Sequence, residues 1–342
     1  MRVGVLGAGS IGTYLGGRLL AAGVPTTLVG RAALADAVAR HGLRLTDYRG
    51  FDVTLPPARV PIATTADALA DCDWVLVTVK GLDTAAAAAE LAPVLRRDAV
   101  VVSFQNGVGN PAALRAALGP RQVLAGMVPF NVLRRSDAHV HQGTSGRLAV
   151  EAMPDQHGKR ERHPPIGEAL TRAGLLTLGF PDMRPILWGK LLVNLNNSIN
   201  ALCGLPLAEQ LAQRGYRRLM AACFREGLAV VRRAGIKPRI DAPLPPSLLP
   251  LIMELPDFIF HRLSGSLVTV DRNARSSMWE DLARGRRTEI DLLNGEIVRL
   301  GAELHRPTPL NAAIVRLIKE AEGHGSPSLS APDLLGKLTA DG

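Results

Sequence analysis

Through the first half of the chain, short apolar runs alternate with helical patterns. Residues 2–7 (RVGVLG) read as a strand, and residues 11–22, rich in Ala, Leu and Gly, as a helix. A second strand follows at 26–29. Residues 43–46 and 51–55 predict a two-stranded excursion closed by Tyr48-Arg49-Gly50. The rhythm of a parallel sheet then resumes, with a buried strand at 74–79 (WVLVTV), an alanine-rich helix over 85–91 and a buried strand at 100–104. Residues 123–130, 139–142 and 147–151 predict further strands, added antiparallel to the sheet. The stretch 155–165 (DQHGKRERHPP) is polar and proline-ended, which predicts an exposed loop with Lys159 and Arg160 solvated. A last helix and a strand at 175–178 close a first domain near residues 181–183.

From Pro185 onward the pattern is helical. Residues 217–234 predict a long amphipathic helix with Leu219, Cys223, Leu228 and Val231 in its core face. Residues 237–256 are proline-rich and are expected to wind over the surface. Residues 276–282 are informative, and Ser276-Ser277-Met278 is expected on a loop or helix start. Thr288-Glu289-Ile290-Asp291 opens a helix over 288–300 with acidic residues near its positive end. The tail past Pro327 reads as a short helical remnant with a loose terminus. No internal repeat is visible, and 342 residues exceed a single ordinary core. The expected architecture is α/β: an N-terminal dinucleotide-binding domain over 1–183, then an all-helical domain over 184–342 for substrate and dimerisation.

One helical stretch stands apart: residues 188–200 (WGKLLVNLNNSIN). Lys190, Asn194 and Asn197 recur at i, i+4 and i+7 and share one face. Leu191, Leu192, Leu195 and Ile199 form the apolar face. Asparagine is a poor helix former, so several together cost stability unless they do a job. Such a face can donate a proton to a ligand and hold its polar groups. The alternative is a helix end whose amides cap neighbouring backbone.

Composition narrows the chemistry. The 47% hydrophobic and 21% charged content is that of a soluble globular protein. The 3 cysteines have no paired spacing, which points to a reducing, cytoplasmic setting and away from a disulfide framework or zinc site. Histidines lack ligand spacing, and His139 and His141 are expected at a strand surface or edge, so no metal is predicted. The N-terminus enters a strand directly, without a leader pattern. No apolar run is long enough to span a bilayer. The net charge of +9 suits nucleic acid or a polyanionic cofactor, but only 4% of residues are aromatic and no basic, aromatic-interleaved platform occurs. The balance favours an anionic small molecule, with no nucleic-acid and no membrane partner.

The motif that fits such a molecule is Gly7-Ala8-Gly9-Ser10-Ile11-Gly12, a G-x-G-x-x-G between strand and helix. Gly7 permits the turn, Gly9 lets backbone approach a pyrophosphate, and Gly12 lets the helix pack against the strand. This makes the first domain Rossmann-type. The second strand ends in Gly30-Arg31 without an acidic residue for a ribose hydroxyl, so Arg31 is placed to pair with a 2′-phosphate, favouring NADP over NAD. Lys80 and Asn106 also follow strands. Lys80 is suited to cofactor phosphate or substrate carboxylate, and Asn106 to the nicotinamide end or the substrate. Each is equally a polar loop residue in another reading.

Taken together, the chain resembles the ketopantoate reductase (2-dehydropantoate 2-reductase) family over nearly its whole length. The resemblance rests on GAGSIG at 7–12, VTVK ending in Lys80, QNG at 105–107, WGKLLVN at 188–194, and SSMWED with TEIDLLNG between Ser276 and Gly295. It implies NADPH and a small 2-keto acid bound in a cleft between the two domains. It implies Lys190 as the general acid for the ketone oxygen, and Glu289 beside it, binding and orienting the substrate. It further implies Asn106, Asn194 and Ser277 on the substrate, and Arg31 on the 2′-phosphate.

The sequence departs from the family pattern where Ser198 and Ala208 stand in place of substrate asparagines. Pantothenate biosynthesis is the expected setting, with a related 2-keto acid, an opine-type dehydrogenase or a silent NADP-binding regulator as alternatives. A homodimer is compatible with an exposed apolar helical face.

Overall fold

The computed structural model describes residues 1–153, 163–241, 244–264 and 274–339, so the expected loop with Lys159 and Arg160 lies outside the described residues through 162. The chain divides into two compact units, Met1–Met183 and Arg184–Gly342.

The strands of the first unit are β1 (Val3–Leu6), β2 (Thr26–Val29), β3 (Leu43–Asp47), β4 (Asp52–Leu55), β5 (Ile62–Ala63), β6 (Trp74–Val77), β7 (Val100–Ser103), β8 (Val123–Met127), β9 (Val132–Ser136), β10 (His139–Gln142), β11 (Leu148–Glu151) and β12 (Thr177–Phe180). Its helices are α1 (Ser10–Ala21), α2 (Ala32–His41), α3 (Thr84–Leu91), α4 (Asn110–Leu118) and α5 (Pro165–Arg172). The main sheet has eight strands in the order β12-β11-β8-β7-β6-β1-β2-β5. Strands β7, β6, β1 and β2 are parallel neighbours. The residues of β1, β6 and β7 are buried on both faces, which is why these strands read as apolar runs.

The expected sheet topology needs correction. The excursion formed by β3 and β4 does not stand alone: a second, four-stranded sheet runs β4-β3-β10-β9, with β10 parallel to β3. Residues 139–142 belong there, not to the main sheet. Strand β8 enters the main sheet parallel to β7, and β11 is the strand that pairs antiparallel, with β8. The expected strand 123–130 stops at Met127, just before Pro129, which cannot donate a ladder hydrogen bond. Strand β9 (VLRRS) escaped the pattern because only Val132 in it is buried. His139 and His141 sit on β10, an interior strand of its sheet, and both ring nitrogens lie within hydrogen-bonding distance of the Thr46 hydroxyl, at 2.9 and 2.8 Å. Among the described residues no group of three or more His, Cys, Asp or Glu is arranged to hold a metal ion.

Helix α1 lies between the two sheets. A Cβ on Gly16 would overlap Leu28 of the main sheet, and one on Gly17 would come 2.7 Å from Leu45 of the second. Arg18, only 7% exposed, ties the layers together. Its Nε donates to Ala173 O (2.9 Å) and its Nη1 to the Tyr14 hydroxyl (2.9 Å) and Asp47 (3.4 Å), while the guanidinium stacks 3.8 Å from the Phe51 ring centre. Tyr14 donates onward to Gln142 Oε1 (2.9 Å), and burial pushes its phenol up to about 12.

The second unit is helical: α6 (Arg184–Asn194), α7 (Asn196–Cys203), α8 (Leu207–Ala212), α9 (Arg214–Arg233), α10 (Leu249–Met253), α11 (Asp257–Ser264), α12 (Ser277–Ala283), α13 (Asn294–Glu303), α14 (Pro309–Ala321) and α15 (Ala331–Thr339). The expected single helix over 188–200 is two helices, broken at Leu195. Ser198 Oγ bonds back to Leu195 O at 2.8 Å, the kind of side-chain competition that bends helices. Leu191, Leu192, Leu195 and Ile199 are all buried, as are Leu219, Cys223, Leu228 and Val231 on α9. The helix expected from residue 288 begins only at Asn294, after a 3-10 turn at Ile290–Leu292. The tail is not loose through Thr339. Leu334 and Leu338 of α15 are buried, Ser326 Oγ donates to Ala201 O (2.7 Å) and Leu329 N to Leu202 O (2.9 Å). Among the described residues no helix is long and apolar enough to cross a membrane.

Replacing Arg18 with Met would leave Asp47, its side chain 10% exposed, without its buried cation. Loss of one partner of a buried pair costs about 3–5 kcal/mol. Urea denaturation of Arg18→Met should show a loss of that order, and an unchanged midpoint would contradict the tie between the sheets.

Candidate active site

The glycine turn is anchored to the end of β2. Gly7 adopts φ +95°, and the N–H groups of Gly7 and Ala8 both reach Val29 O at the end of β2 (3.1 and 2.8 Å). The carbonyls are tied back: Thr78 Oγ1 donates to Gly7 O (2.8 Å) and Thr13 Oγ1 to Ala8 O (3.0 Å). Gly9 caps α1, whose first-turn N–H groups, including those of Ser10, Ile11 and Gly12, lack intrahelical acceptors. A Cβ on Gly12 would come 2.5 Å from Gly7 O and overlap Thr78 as well. A Cβ on Gly9 would meet nothing nearer than Gly7 O at 3.9 Å. The turn is thus crowded behind and open in front, the shape that lets a pyrophosphate approach a positive helix end.

The other first-unit candidates line up beside it. In the order β7-β6-β1-β2, the strand ends are followed by Asn106, Lys80, the glycine turn and Arg31. Arg31 is exposed at the N-cap of α2, and Gly30 before it packs so close to Ala8 that a Cβ would come within 2.9 Å. Lys80 is exposed and Asn106 half-buried.

A buried polar network fixes their backbone. Ser103 Oγ donates to Gln105 Oε1 (3.0 Å), and Gln105 Nε2 donates to Thr84 Oγ1 (2.8 Å) and Val79 O (3.3 Å). The Thr84 hydroxyl lies 2.8 Å from Gly81 O and 2.9 Å from Asn110 Oδ1, and Asn110 Nδ2 donates to Asn106 O at 2.5 Å. Thr84 and Asn110 were not singled out from sequence, and Gln105 only as part of the QNG motif. A buried network is invisible until strands β6 and β7 are set side by side.

Lys190, Asn194, Ser277 and Glu289 fall in the second unit. Lys190 sits in the middle of α6, where Gly189 admits the backbone of Arg239, whose O an added Cβ would overlap. Burial pushes the Lys190 ammonium down to about 8, as desolvation penalises the charged form. Asn194, one turn on, is 7% exposed. Ser277 is exposed in the first turn of α12, and Glu289, 4% exposed, caps the 3-10 turn.

Asn196, Ser198 and Asn200 of α7 have their side chains engaged within the second unit. Asn200, fully buried, donates to Leu205 O and Gln210 Oε1 (both 2.9 Å) and accepts from Ser276 N (2.8 Å). Gln210 Nε2 donates to Asn196 Oδ1 (2.7 Å). Ser276 Oγ donates to Asn197 O (3.0 Å) while capping α12 through Trp279 N (3.1 Å). Asn200 therefore sets where Ser277 begins its helix. Ser198 is fully buried and Ala208 half-buried on α8.

The sequence profile described as ketopantoate reductase PanE/ApbA matches residues 3–155, and that of ketopantoate reductase PanE/ApbA C terminal matches residues 182–322. A 2-dehydropantoate 2-reductase of Archaeoglobus fulgidus is 30% identical over 94% of this chain and 98% of its own. The crystal structure of a PanE/ApbA family ketopantoate reductase from Ralstonia eutropha JMP134 is 32% identical, covers 95% of this chain and 99% of its own, and superposes with a TM-score of 0.78. D-mandelate dehydrogenase, solved with NADH and anilino(oxo)acetate, shares the fold at 20% identity and a TM-score of 0.77, covering 95% of this chain and 99% of its own. The chain, an α/β unit followed by a helical one, belongs to the ketopantoate reductase family of oxidoreductases.

Proposed function

We propose that the protein reduces a 2-keto acid, 2-dehydropantoate foremost, using NADPH. The observation that carries this reading is a lysine driven down to about 8 by burial, in a chain that also holds a pyrophosphate-ready glycine turn. The first unit is the cofactor domain: residues Gly7, Ala8, Gly9, Ser10, Ile11 and Gly12 take the pyrophosphate, Arg31 the 2′-phosphate, and Lys80 a phosphate or the substrate carboxylate. Asn106 serves the nicotinamide end and the substrate. The second unit is the substrate and dimerisation domain. The three cysteines are buried free thiols, which suits a cytoplasmic enzyme.

A nicotinamide cofactor supplies the hydride when bound, and the chain supplies position and a proton. Reduction of a ketone builds negative charge on its oxygen, and a proton donor must be there as the charge forms. A lysine at about 8 remains mostly protonated at neutral pH yet gives up its proton more readily than an ordinary lysine. Lys190 is assigned that donation. Glu289 binds and orients the substrate, Asn194 holds its polar groups from the next turn of α6, and Ser277 takes the carboxylate or hydroxyl. A second reading, reduction of a related 2-keto acid, draws support from Ser198, whose hydroxyl is spent on Leu195 O.

Lys190→Ala should lower kcat by about 10²–10⁴-fold in NADPH oxidation assays. Unchanged turnover would remove the proton-donor role. The free-enzyme kcat/KM for reduction should hold level at low pH and fall as pH rises through about 8, because only the ammonium form donates. A rate that rises across that range would contradict the assignment. Arg31→Ala should weaken NADPH by about 10- to 100-fold and leave NADH nearly untouched, since a charge-assisted contact to the 2′-phosphate is lost. Equal effects on both cofactors would place Arg31 elsewhere. A panel of 2-keto acids ranks the substrate.

A further inference from the structure

Segment 288–294 has little structure of its own. Its 3-10 turn is closed by Leu292 N to Glu289 O (3.0 Å) and Leu293 N to Ile290 O (3.2 Å), weak local geometry for a residue that must point accurately. Yet Thr288, Glu289, Ile290 and Asn294 are all 4% exposed or less. Their position is set from outside, by helix α14.

The segment runs antiparallel to that helix and is bonded to it at three rungs. Asn294 Nδ2 donates to Asn311 Oδ1 (3.0 Å) near the start of α14. Lys319 Nζ meets Asp291 Oδ1 (2.7 Å) in its last turn. Glu322 Oε1, at its C-cap, accepts from both the backbone N–H and the hydroxyl of Thr288 (2.8 Å each). Helix α14 is itself fixed at its other end, where the Glu226 carboxylate accepts from Leu310 N (3.1 Å), Asn311 N (2.9 Å) and Asn311 Nδ2 (2.7 Å). Glu289 hangs between the Asp291 and Thr288 rungs.

The rungs differ in strength. The Lys319–Asp291 pair is about half exposed on both sides and contributes little. The Glu322 rung is charge-assisted and doubled, and it grips the residue next to Glu289. We propose that Glu322 is a positioning residue for Glu289, with α14 as the rail that holds the substrate-orienting carboxylate in place. This rests on the proposed role of Glu289 in the reduction.

The test is a double-mutant cycle on the full chain, measuring kcat and KM for the keto acid and the NADPH dissociation constant. Glu322→Ala should lower kcat by about 10- to 100-fold, the scale of a small misplacement of a substrate-orienting group, with NADPH binding unchanged. Glu322→Gln keeps the Oε1 acceptor and should restore near-native kcat. Glu289→Gln should be slow, and Glu289→Gln with Glu322→Ala should be no slower, because Glu322 acts only through Glu289. If Glu322→Ala fails to fold, Thr288→Val removes one bond of the rung and should still lower kcat severalfold. Native kcat in both Glu322→Ala and Thr288→Val, or a full further loss in the Glu289→Gln background, would overturn the proposal while leaving the role of Glu289 standing. Native turnover in Glu289→Gln alone would overturn that role and the proposal with it.

Discussion

A guanidinium held at 7% exposure must find partners for its donors within the protein, and Arg18 finds them on its own helix and in two other pieces of the first unit. The Ala173 carbonyl lies beyond α5, Asp47 ends β3, and Tyr14 carries the chain of bonds to Gln142 on β10. Because Asp47 would lose its buried cation without it, the two sheets cannot separate from α1 cheaply. The same helix must bring its N-terminus to the glycine turn. The packing that binds the sheets and the placement of the turn are therefore one constraint, and Gly16 and Gly17 show how tight it is.

The second unit solves a similar problem with neutral amides. Asn200 has its donors and acceptor engaged, and through them α7, α8 and α12 share one buried junction. Charges in such a place would carry a desolvation cost, whereas amides satisfy one another at full burial. Lys190, on the preceding helix, is a charge that burial disfavours. Burial is the cause of its lowered proton affinity.

Much of this was legible in the residues. The parallel strands declared themselves because they are buried on both faces, and the glycine turn because each glycine answers a different steric demand. The second sheet was not legible. Strand β9 is mostly polar and exposed, and the pairing of β10 with β3 joins residues far apart in sequence. The break at Leu195 was hidden because Leu195 continues the apolar face of α6 on paper, while in the fold the Ser198 hydroxyl turns back to its carbonyl. The asparagines show the limit most clearly. Spacing groups Lys190 with Asn194 and Asn197, but only three-dimensional partners reveal that Asn200 and Asn196 are occupied with the scaffold.

The docking of the tail has a consequence in time. Ser326 bonds to Ala201, 125 residues earlier in the chain. At the usual pace of translation, about 5–20 residues per second, α7 waits roughly 6–25 s for that partner to be made. The strands of the first unit are complete by Phe180 and need no such wait. Synthesis thus leaves an interval in which one half of the protein has all its parts, while the helix following Lys190 still lacks a neighbour.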